Sequence, residues 1–254
     1  MRIRVLGAFG GLCPGCLLTS FQINDDIIMD AGSMAESLPL ADQGRVRHVL
    51  LTHSHLDHTC TLPFFVDNIF GMHNDPVTVY GISETLKSIR DNLFNNDIWP
   101  DFSVLPNCHN AIMRFSELTE ETPTPIGGLT VTAVRVNHTV PTVGYVFQSP
   151  QATVVFSGDT SATERLWEVA ATVVNLKAVF VEASFPNNKQ DIADLSGHLT
   201  PQTLALELKK LRRDVPVYIY HIKPRFFDEV AAELKQIKWP RLEIVEQGRT
   251  YAFD

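Results

Sequence analysis

Six consecutive residues, His53-Ser54-His55-Leu56-Asp57-His58, contain three imidazoles and one carboxylate. They follow the largely apolar run Val46–Leu51, which predicts a buried strand. Packing does not explain such a density of metal-binding side chains, and the alternative to a metal site is a solvated polar loop. A loop that leaves a strand end can aim some side chains at one metal ion and the others at a second. The sequence therefore predicts a metal site here.

Three later positions repeat this arrangement of a predicted strand followed by a ligand-type residue. Leu129–Val136 precedes His138, Thr153–Phe156 precedes Asp159, and Val217–Tyr220 precedes His221. Each of the three residues alone has an ordinary explanation as a cap or a turn. Because strand ends at one edge of a sandwich converge, we expect all of them to join the six-residue cluster. A carboxylate has two oxygens and can bridge two metal ions, so the combined set suits a two-metal site.

The rest of the chain predicts two β-rich halves, each closing with a helical pattern. Further strands are predicted at Arg2–Leu6, Ser20–Ile23, Ile27–Met29, Val77–Tyr80, Val143–Gln148 and Ala178–Val181, with a closing β-pair of Leu242–Val245 and Thr250–Phe253. Helices are predicted at Pro63–Phe70, at Ser83–Phe94 with Ser83 as its cap, from Thr200-Pro201 onward, and at Phe227–Ile237. Asn95–Pro125 is predicted to be mostly irregular.

These helices are too sparse for a doubly wound sheet, so we expect them to pack outside two facing sheets. The predicted fold is an α+β protein, a four-layer αββα sandwich. With 254 residues and 44% hydrophobic content the chain can bury a full core, and residues 1–254 are expected to form one domain.

A formal net charge of −8 makes extended nucleic-acid binding unfavourable, and a small anionic substrate would need local positive charge. The N-terminus lacks the pattern of a signal peptide, and no run of residues has the length of a membrane span. We therefore expect a cytoplasmic protein without membrane contact. A homodimer is an option that the sequence leaves open.

The four cysteines are too few for a disulfide framework. Cys13-Pro14-Gly15-Cys16 has the spacing of a redox pair, but it lies among glycines and not at a helix start. We interpret it as a tight loop, and Cys60 and Cys108 as packed thiols.

The set His53-x-His55-x-Asp57-His58, followed by His138, Asp159 and His221, resembles the metallo-β-lactamase superfamily, and Asp30-Ala31-Gly32 matches its early Asp-x-Gly turn. The resemblance implies the αββα fold and two metal ions. One ion is expected on His53, His55 and His138, and the second on Asp57, His58 and His221, with Asp159 bridging them. Zn²⁺ is the expected metal, and Mn²⁺ or Fe²⁺ also suit these ligands.

Two more motifs narrow the resemblance within the superfamily. True β-lactamases commonly carry Cys in place of Asp159, and flavodiiron enzymes carry Glu in place of His55. Val181–Pro186 and Ser196–Pro201 look like motifs of the phosphodiesterase branch, which contains the tRNA 3′-processing endonucleases and the class II cyclic-nucleotide phosphodiesterases. The interval between His138 and Asp159 is too short for the RNA-binding arm of the former. Phe94–Phe102 and Ala183–Asn187 look like the latter.

The resemblance therefore implies hydrolysis of a small anionic phosphodiester, namely a 3′,5′-cyclic nucleotide such as cAMP or cGMP, to the 5′-monophosphate. We expect Asp57 to orient the attacking water and His198, just before a helix start, to protonate the leaving oxygen. Glu182 is expected to orient His198 and keep it protonated. The alternative is that His198 caps the helix and Glu182 is a solvated strand end. Trp99 and Phe102 either stack on a base or pack in the core.

Three other functions remain open at this point. The metals can act on another phosphodiester, as in RNA 3′ processing, or on an acyl substrate such as a thioester or lactone. The third option is a non-catalytic nucleotide or metal sensor.

Overall fold

Two seven-stranded sheets form the middle of the computed structural model, which describes residues 1–72, 75–107 and 109–254. The first sheet contains β1 (Arg2–Gly7), β2 (Ser20–Ile23), β3 (Ile27–Met29), β4 (His48–Leu50), β5 (Val77–Gly81), β6 (Met113–Glu117) and β14 (Thr250–Ala252). The second contains β7 (Thr124–Ile126), β8 (Leu129–Val136), β9 (Thr142–Gln148), β10 (Thr153–Phe156), β11 (Leu176–Glu182), β12 (Val217–Tyr220) and β13 (Leu242–Ile244). In space, the strands of the first sheet lie in the order β14-β1-β2-β3-β4-β5-β6, and those of the second in the order β13-β12-β11-β10-β9-β8-β7.

Each sheet combines an antiparallel run with a parallel run. In the first sheet β14, β1, β2 and β3 are antiparallel, and β3 to β6 are parallel. In the second, β7 to β10 are antiparallel, and β10 to β13 are parallel. Parallel neighbours require crossover connections, which carry most of the helices. The helices are α1 (Met34–Ser37), α2 (Leu40–Gln43), α3 (Leu56–Thr59), α4 (Leu62–Asn68), α5 (Ser83–Asn92), α6 (Arg165–Thr172), α7 (Gln190–Ser196), α8 (Pro201–Leu211) and α9 (Phe227–Leu234).

Three hydrophobic clusters separate the four layers. The central cluster lies between the sheets, where Phe21 of β2 contacts Phe156 of β10 edge to face at 5.1 Å between ring centroids. A second cluster packs α6, α8 and α9 on the outer face of the second sheet, and a third packs α1, α4 and α5 on the first sheet. The predicted αββα sandwich is therefore confirmed.

The start of α8 follows directly from its sequence. Thr200 is the N-cap, and its hydroxyl accepts from the Thr203 backbone N–H while the Thr203 side chain bonds back to Thr200. Pro201 occupies the first helical position, where its missing N–H costs nothing. The predicted helix start is confirmed, and it fixes the backbone that follows His198.

The predicted closing β-pair is wrong. Leu242 pairs in parallel with Val217 of β12, whereas Ala252 pairs antiparallel with Arg2 of β1. The two segments thus extend the edges of different sheets, and the short connection between them crosses the sandwich. Sequence proximity favours a hairpin, but both sheets have an exposed edge that a strand can cover.

Other elements also differ from the predictions. Ile82 is the N-cap of α5 and Ser83 is its first residue, without a side-chain capping bond. The segment Asn95–Pro125 contains β6, which extends the first sheet beside β5. Helices α6 and α7 were not predicted from the sequence, and α9 ends three residues before its predicted end.

Cys108 lies outside the described residues. No helix in the described part of the chain combines the length and apolar character needed to cross a bilayer.

Candidate metal centre

The seven predicted metal ligands follow the ends of four strands. His53, His55, Asp57 and His58 follow β4, and the last two lie in the short helix α3; His138 follows β8, Asp159 follows β10 and His221 follows β12. The structure brings all of them into two adjoining groups. One contains His53, His55 and His138, the other Asp57, His58, Asp159 and His221, and the donor atoms within each group lie within 4.8 Å of one another.

Asp159 lies between the two groups. Its Oδ2 is 3.0 Å from Nε2 of His221 and 3.2 Å from Nε2 of His58, and 3.8 Å from Nε2 of His53 in the other group. Asp57 lies on the solvent-facing side of its own group, with Oδ2 3.6 Å from Nε2 of His221. One carboxylate is therefore within reach of imidazoles from both groups.

Four of the imidazoles are oriented through their second ring nitrogen. The Nδ1 atoms of these rings contact the Thr52 hydroxyl (His53, 3.0 Å), the Asp30 carboxylate (His58, 2.7 Å), the Gly197 carbonyl (His138, 2.9 Å) and the Thr19 hydroxyl (His221, 2.7 Å). Each contact leaves Nε2 facing the centre. Outer contacts of this kind fix the orientation of metal-ligating histidines and raise their basicity.

The inner donor atoms fit a divalent cation. Nε2 of His53, His58 and His221 and Oδ1 of Asp159 are buried and make no hydrogen bond. Unpaired buried polar atoms are expensive, because they lose water without gaining a partner. Three imidazole nitrogens and a carboxylate oxygen left unpaired in one cluster are the kind of donors that zinc and related metals bind.

The electrostatics of the cluster favour neutral imidazoles beside ionised carboxylates. Burial lowers the pKa of His53, His55 and His138. Burial by itself raises the pKa of Asp159, but the adjacent His221 and His58 outweigh it and hold that pKa well below its usual value. His58 is the exception, because Asp159 and Asp30 outweigh its burial and raise its pKa. A metal ion would have to displace that proton, so binding is coupled to proton release.

Two backbone positions near the donors have unusual conformations. Asp30 has φ of 59° and His221 has φ of 63°, both in the left-handed region. Gly10 packs directly on His221, and a Cβ there would lie 2.7 Å from its carbonyl oxygen and 2.8 Å from its ring. Position 10 therefore has to be glycine, because the loop that contains it approaches the His221 side chain so closely.

A second pair of residues adjoins the donors. Nδ1 of His198 lies 2.7 Å from Oε1 of Glu182, and His198 groups with His138 and Asp159 within 4.8 Å. Glu182 is completely buried, and it also accepts hydrogen bonds from the Thr160 backbone N–H and the Ser184 hydroxyl. Burial lowers the pKa of His198, but the Glu182 carboxylate outweighs it and the net shift is upward. Glu182 is not a solvated strand end, and Thr200, not His198, caps α8.

Several residues at the site were not identified from the sequence. The hydroxyls of Thr19 and Thr52 contact Nδ1 of His221 and His53, and Lys223 lies 3.9 Å from Oδ2 of Asp57. In the sequence, Thr52 could have been suspected because it adjoins His53, and Lys223 because it is close to His221. No sequence feature pointed to Thr19. Of the two candidate stacking aromatics, Phe102 is buried in the outer cluster of the first sheet, and Trp99 packs edge-on against Phe64.

The Cys13–Cys16 segment is a tight turn, as predicted. Backbone hydrogen bonds join the two cysteines in both directions, and Gly15 takes φ of 83°. Both thiols are free, and burial together with the Cys13 thiol raises the pKa of Cys16 to about 11. Because the thiolate is the reactive form, the raised pKa makes Cys16 less reactive than an ordinary thiol.

Comparison with known proteins agrees with this geometry. The profile of the beta-lactamase superfamily domain matches residues 26–222, which include all seven donors. The chain belongs to the beta-lactamase superfamily. A probable 3′,5′-cyclic-nucleotide phosphodiesterase of Yersinia pestis is 28% identical over 99% of this chain and 89% of its own length. The 3′,5′-cyclic-nucleotide phosphodiesterase of Aliivibrio fischeri is 27% identical over 86% of this chain and 80% of its own.

Among solved structures, unliganded yeast PDE1 superposes with a TM-score of 0.80 at 20% identity, covering 98% of both chains. At this level of identity, the likeness confirms the fold and carries no statement about activity. Membership of the beta-lactamase superfamily and the donor set together make the chain a metal-dependent hydrolase.

Proposed function

We propose that this protein is a two-metal phosphodiesterase that hydrolyses 3′,5′-cyclic nucleotides to 5′-monophosphates. The observation that carries the proposal is the buried Glu182–His198 pair beside the donor cluster. Hydrolysis of a phosphodiester breaks one P–O bond and expels an alkoxide, which needs a proton that this pair can supply. Relatives named as cyclic-nucleotide phosphodiesterases support the substrate class.

The residues assigned to each metal follow the two donor groups. His53, His55 and His138 would hold one ion, and Asp57, His58 and His221 the other. The contacts of Asp159 with imidazoles of both groups support its role as the bridge. Divalent ions held there would activate water and stabilise the charge that develops on the phosphoryl oxygens. Zn²⁺ is the proposed native metal.

Asp57 orients the attacking water in this proposal. Its carboxylate is 26% exposed and lies at the open side of the donors. Burial alone raises its pKa, but His58 and His221 outweigh burial and lower it, so Asp57 is ionised near neutral pH. An ionised carboxylate can accept a hydrogen bond from the water on the side that faces the substrate.

His198 protonates the leaving 3′-oxygen. Because Glu182 occupies Nδ1, Nε2 is the nitrogen that can face a substrate. The upward shift of the His198 pKa favours the protonated ring, and Glu182 holds its plane. Glu182 is itself fixed by Thr160 and Ser184, so it acts as a positioning residue.

The chain as a whole is proposed to act as one domain, residues 1–254, because the donors come from both sheets. Its cytoplasmic location and its oligomeric state, including a homodimer, stay predictions.

The decisive experiment is a turnover panel run on protein of measured metal content. Cyclic AMP, cyclic GMP, bis(p-nitrophenyl) phosphate, a short RNA and a lactone are the substrates. We expect turnover of the cyclic nucleotides and the model diester. Preference for RNA or the lactone would replace the proposed substrate, and inactivity of fully metallated protein on the whole panel would favour a sensor.

His198→Ala tests the proton donor. Loss of a general acid typically costs about 10²- to 10⁴-fold in rate, and we expect kcat for cyclic AMP to fall within that range while metal content is unchanged. The loss should be smaller for bis(p-nitrophenyl) phosphate, because p-nitrophenolate leaves without a proton. Equal losses on both substrates would contradict the assignment.

A further inference from the structure

Lys223 is a cation at the open side of the candidate metal centre, beside the Asp57 carboxylate. Its Nζ lies 3.9 Å from Oδ2 of Asp57. Among the ion pairs of the described residues, this one alone joins a lysine or arginine to a carboxylate of the centre or of the Glu182–His198 pair. In a chain of net charge −8, a cation in this place calls for an explanation.

The ammonium group of Lys223 has unused hydrogen-bonding capacity. At 3.9 Å from Asp57 it is too far for a hydrogen bond, and it donates to no other described residue. Lys210 makes an instructive contrast, because its side chain has the same 27% exposure. Nζ of Lys210 donates to Thr163, Glu164 and Glu207 at 2.6–3.0 Å. One lysine is fully engaged by the protein, and the other keeps its three donors.

The backbone of Lys223 is held firmly in place. Its N–H donates to the Ser184 carbonyl at 3.2 Å, and its carbonyl accepts from the Phe226 N–H at 2.9 Å. Ile222 before it is buried and its carbonyl accepts from the Gly10 N–H, while Pro224 after it begins a 3₁₀ turn. The side chain therefore starts from a fixed point two residues after His221, the last of the predicted metal ligands.

A role in holding Asp57 explains this arrangement less well. A contact of 3.9 Å between partly exposed groups contributes little, and Asp57 already faces His221 at 3.6 Å. A lysine that served to fix Asp57 would be expected within hydrogen-bond distance, as Lys210 is to Glu207. The free donors of Lys223 instead suit a ligand that brings its own acceptors.

We propose that Lys223 binds a non-bridging phosphoryl oxygen of the substrate and so makes the site selective for anionic esters. This inference rests on the proposed function, since it assigns the local positive charge that an anionic diester requires. A charge-assisted bond from an ammonium to a phosphoryl oxygen is among the stronger hydrogen bonds. A neutral acyl substrate would not form it.

Lys223→Gln, Lys223→Arg and the control Lys235→Gln test the proposal. Lys235 is exposed at the C-terminal end of α9, so its replacement removes the same charge outside the site. We expect Lys223→Gln to raise KM for bis(p-nitrophenyl) phosphate about tenfold with kcat and metal content nearly unchanged. Lys223→Arg should recover most of the loss, and Lys235→Gln should match the wild type.

Calorimetric binding of inorganic phosphate to the metal-loaded proteins provides a readout that needs no turnover. Phosphate should bind Lys223→Gln about tenfold more weakly than wild type or Lys235→Gln. Equal phosphate affinity in Lys223→Gln and wild type would overturn the role of Lys223. A fall in kcat and metal content at constant KM would do the same, since it would show that Lys223 serves Asp57. If no diester is hydrolysed but phosphate binding still depends on Lys223, the anion site stands and the proposed function fails.

Discussion

The metal centre has a closed half and an open half, and they are built differently. His53, His58, Asp159 and His221 are at most 1% exposed, and each has a donor atom without a hydrogen bond. His55, Asp57 and His138 reach solvent, and the imidazoles of the two histidines contact each other, with Nδ1 of His55 3.2 Å from Nε2 of His138. The closed half therefore has more to gain from a bound cation than the open half, because its buried donor atoms have neither a protein partner nor water.

The largest effect should come from Asp159→Asn, which changes the residue that joins the groups. We expect kcat on the model diester to fall by at least about 10³-fold, because a metal clamp contributes several kcal/mol to the transition state. Metal at 100 times its Kd stabilises a protein by about 2.7 kcal/mol, which corresponds to a rise in Tm of roughly 5–10 °C at this size. The variant should lose most of that rise.

Elemental analysis and thermal melts with and without metal measure this prediction. Asp228→Asn, at an exposed position in the first turn of α9, is the matched control and should behave as wild type. Full metal content and a wild-type rise in Tm in Asp159→Asn would remove Asp159 from the centre.

An intermediate effect is expected from Asp30→Asn. Asp30 is not itself a predicted ligand, but it contacts His58 of the closed half. Asp30 accepts from the Thr52 backbone N–H at 2.8 Å and contacts Nδ1 of His58 at 2.7 Å. Asn tolerates the left-handed conformation at this position, so the substitution removes the negative charge without changing the backbone conformation. Metal affinity, titrated against a chelating dye, should fall on the order of 100-fold. An unchanged affinity would mean that the outer contact of His58 does not tune the ligand.

The smallest effect is expected from Thr52→Val, which removes one hydroxyl and keeps the side-chain shape. The hydroxyl contacts Nδ1 of His53 at 3.0 Å and donates to Oδ2 of Asp30 at 2.9 Å, whereas the bond from the Thr52 backbone N–H to Asp30 is retained. We expect about tenfold weaker metal binding in the same titration. A loss greater than that of Asp30→Asn would reverse the order of importance proposed for the two outer contacts.

The fold was predictable where local pattern and tertiary pairing agree. Apolar runs such as Thr153–Phe156 are strands, and Thr200-Pro201 starts a helix, because short-range forces decide both. The closing β-pair failed because strand partners are chosen across the whole sheet, and Thr250–Ala252 finds its partner in β1, far away in sequence. Strand β6 was missed for a related reason, since it depends on β5 for its pairing.

The donors were more accessible to sequence reasoning than their supports. A ligand must be His, Asp or a similar residue, so its type alone marks it, and the strand-end rule brought the seven together. Thr19 has an ordinary side chain, and its importance comes from a contact with Nδ1 of His221, 202 positions away. Contacts of that range leave no local pattern.

The predicted donors follow strands of both sheets, and this has a consequence for biosynthesis. The ligands His53 to His58 leave the ribosome long before His221, and the completed centre requires both sheets to be packed. At about 5–20 residues per second, the interval is on the order of ten seconds. A nascent chain in that interval carries only part of the predicted donor set. The complete set therefore comes together only after His221 has been synthesised and both sheets have packed.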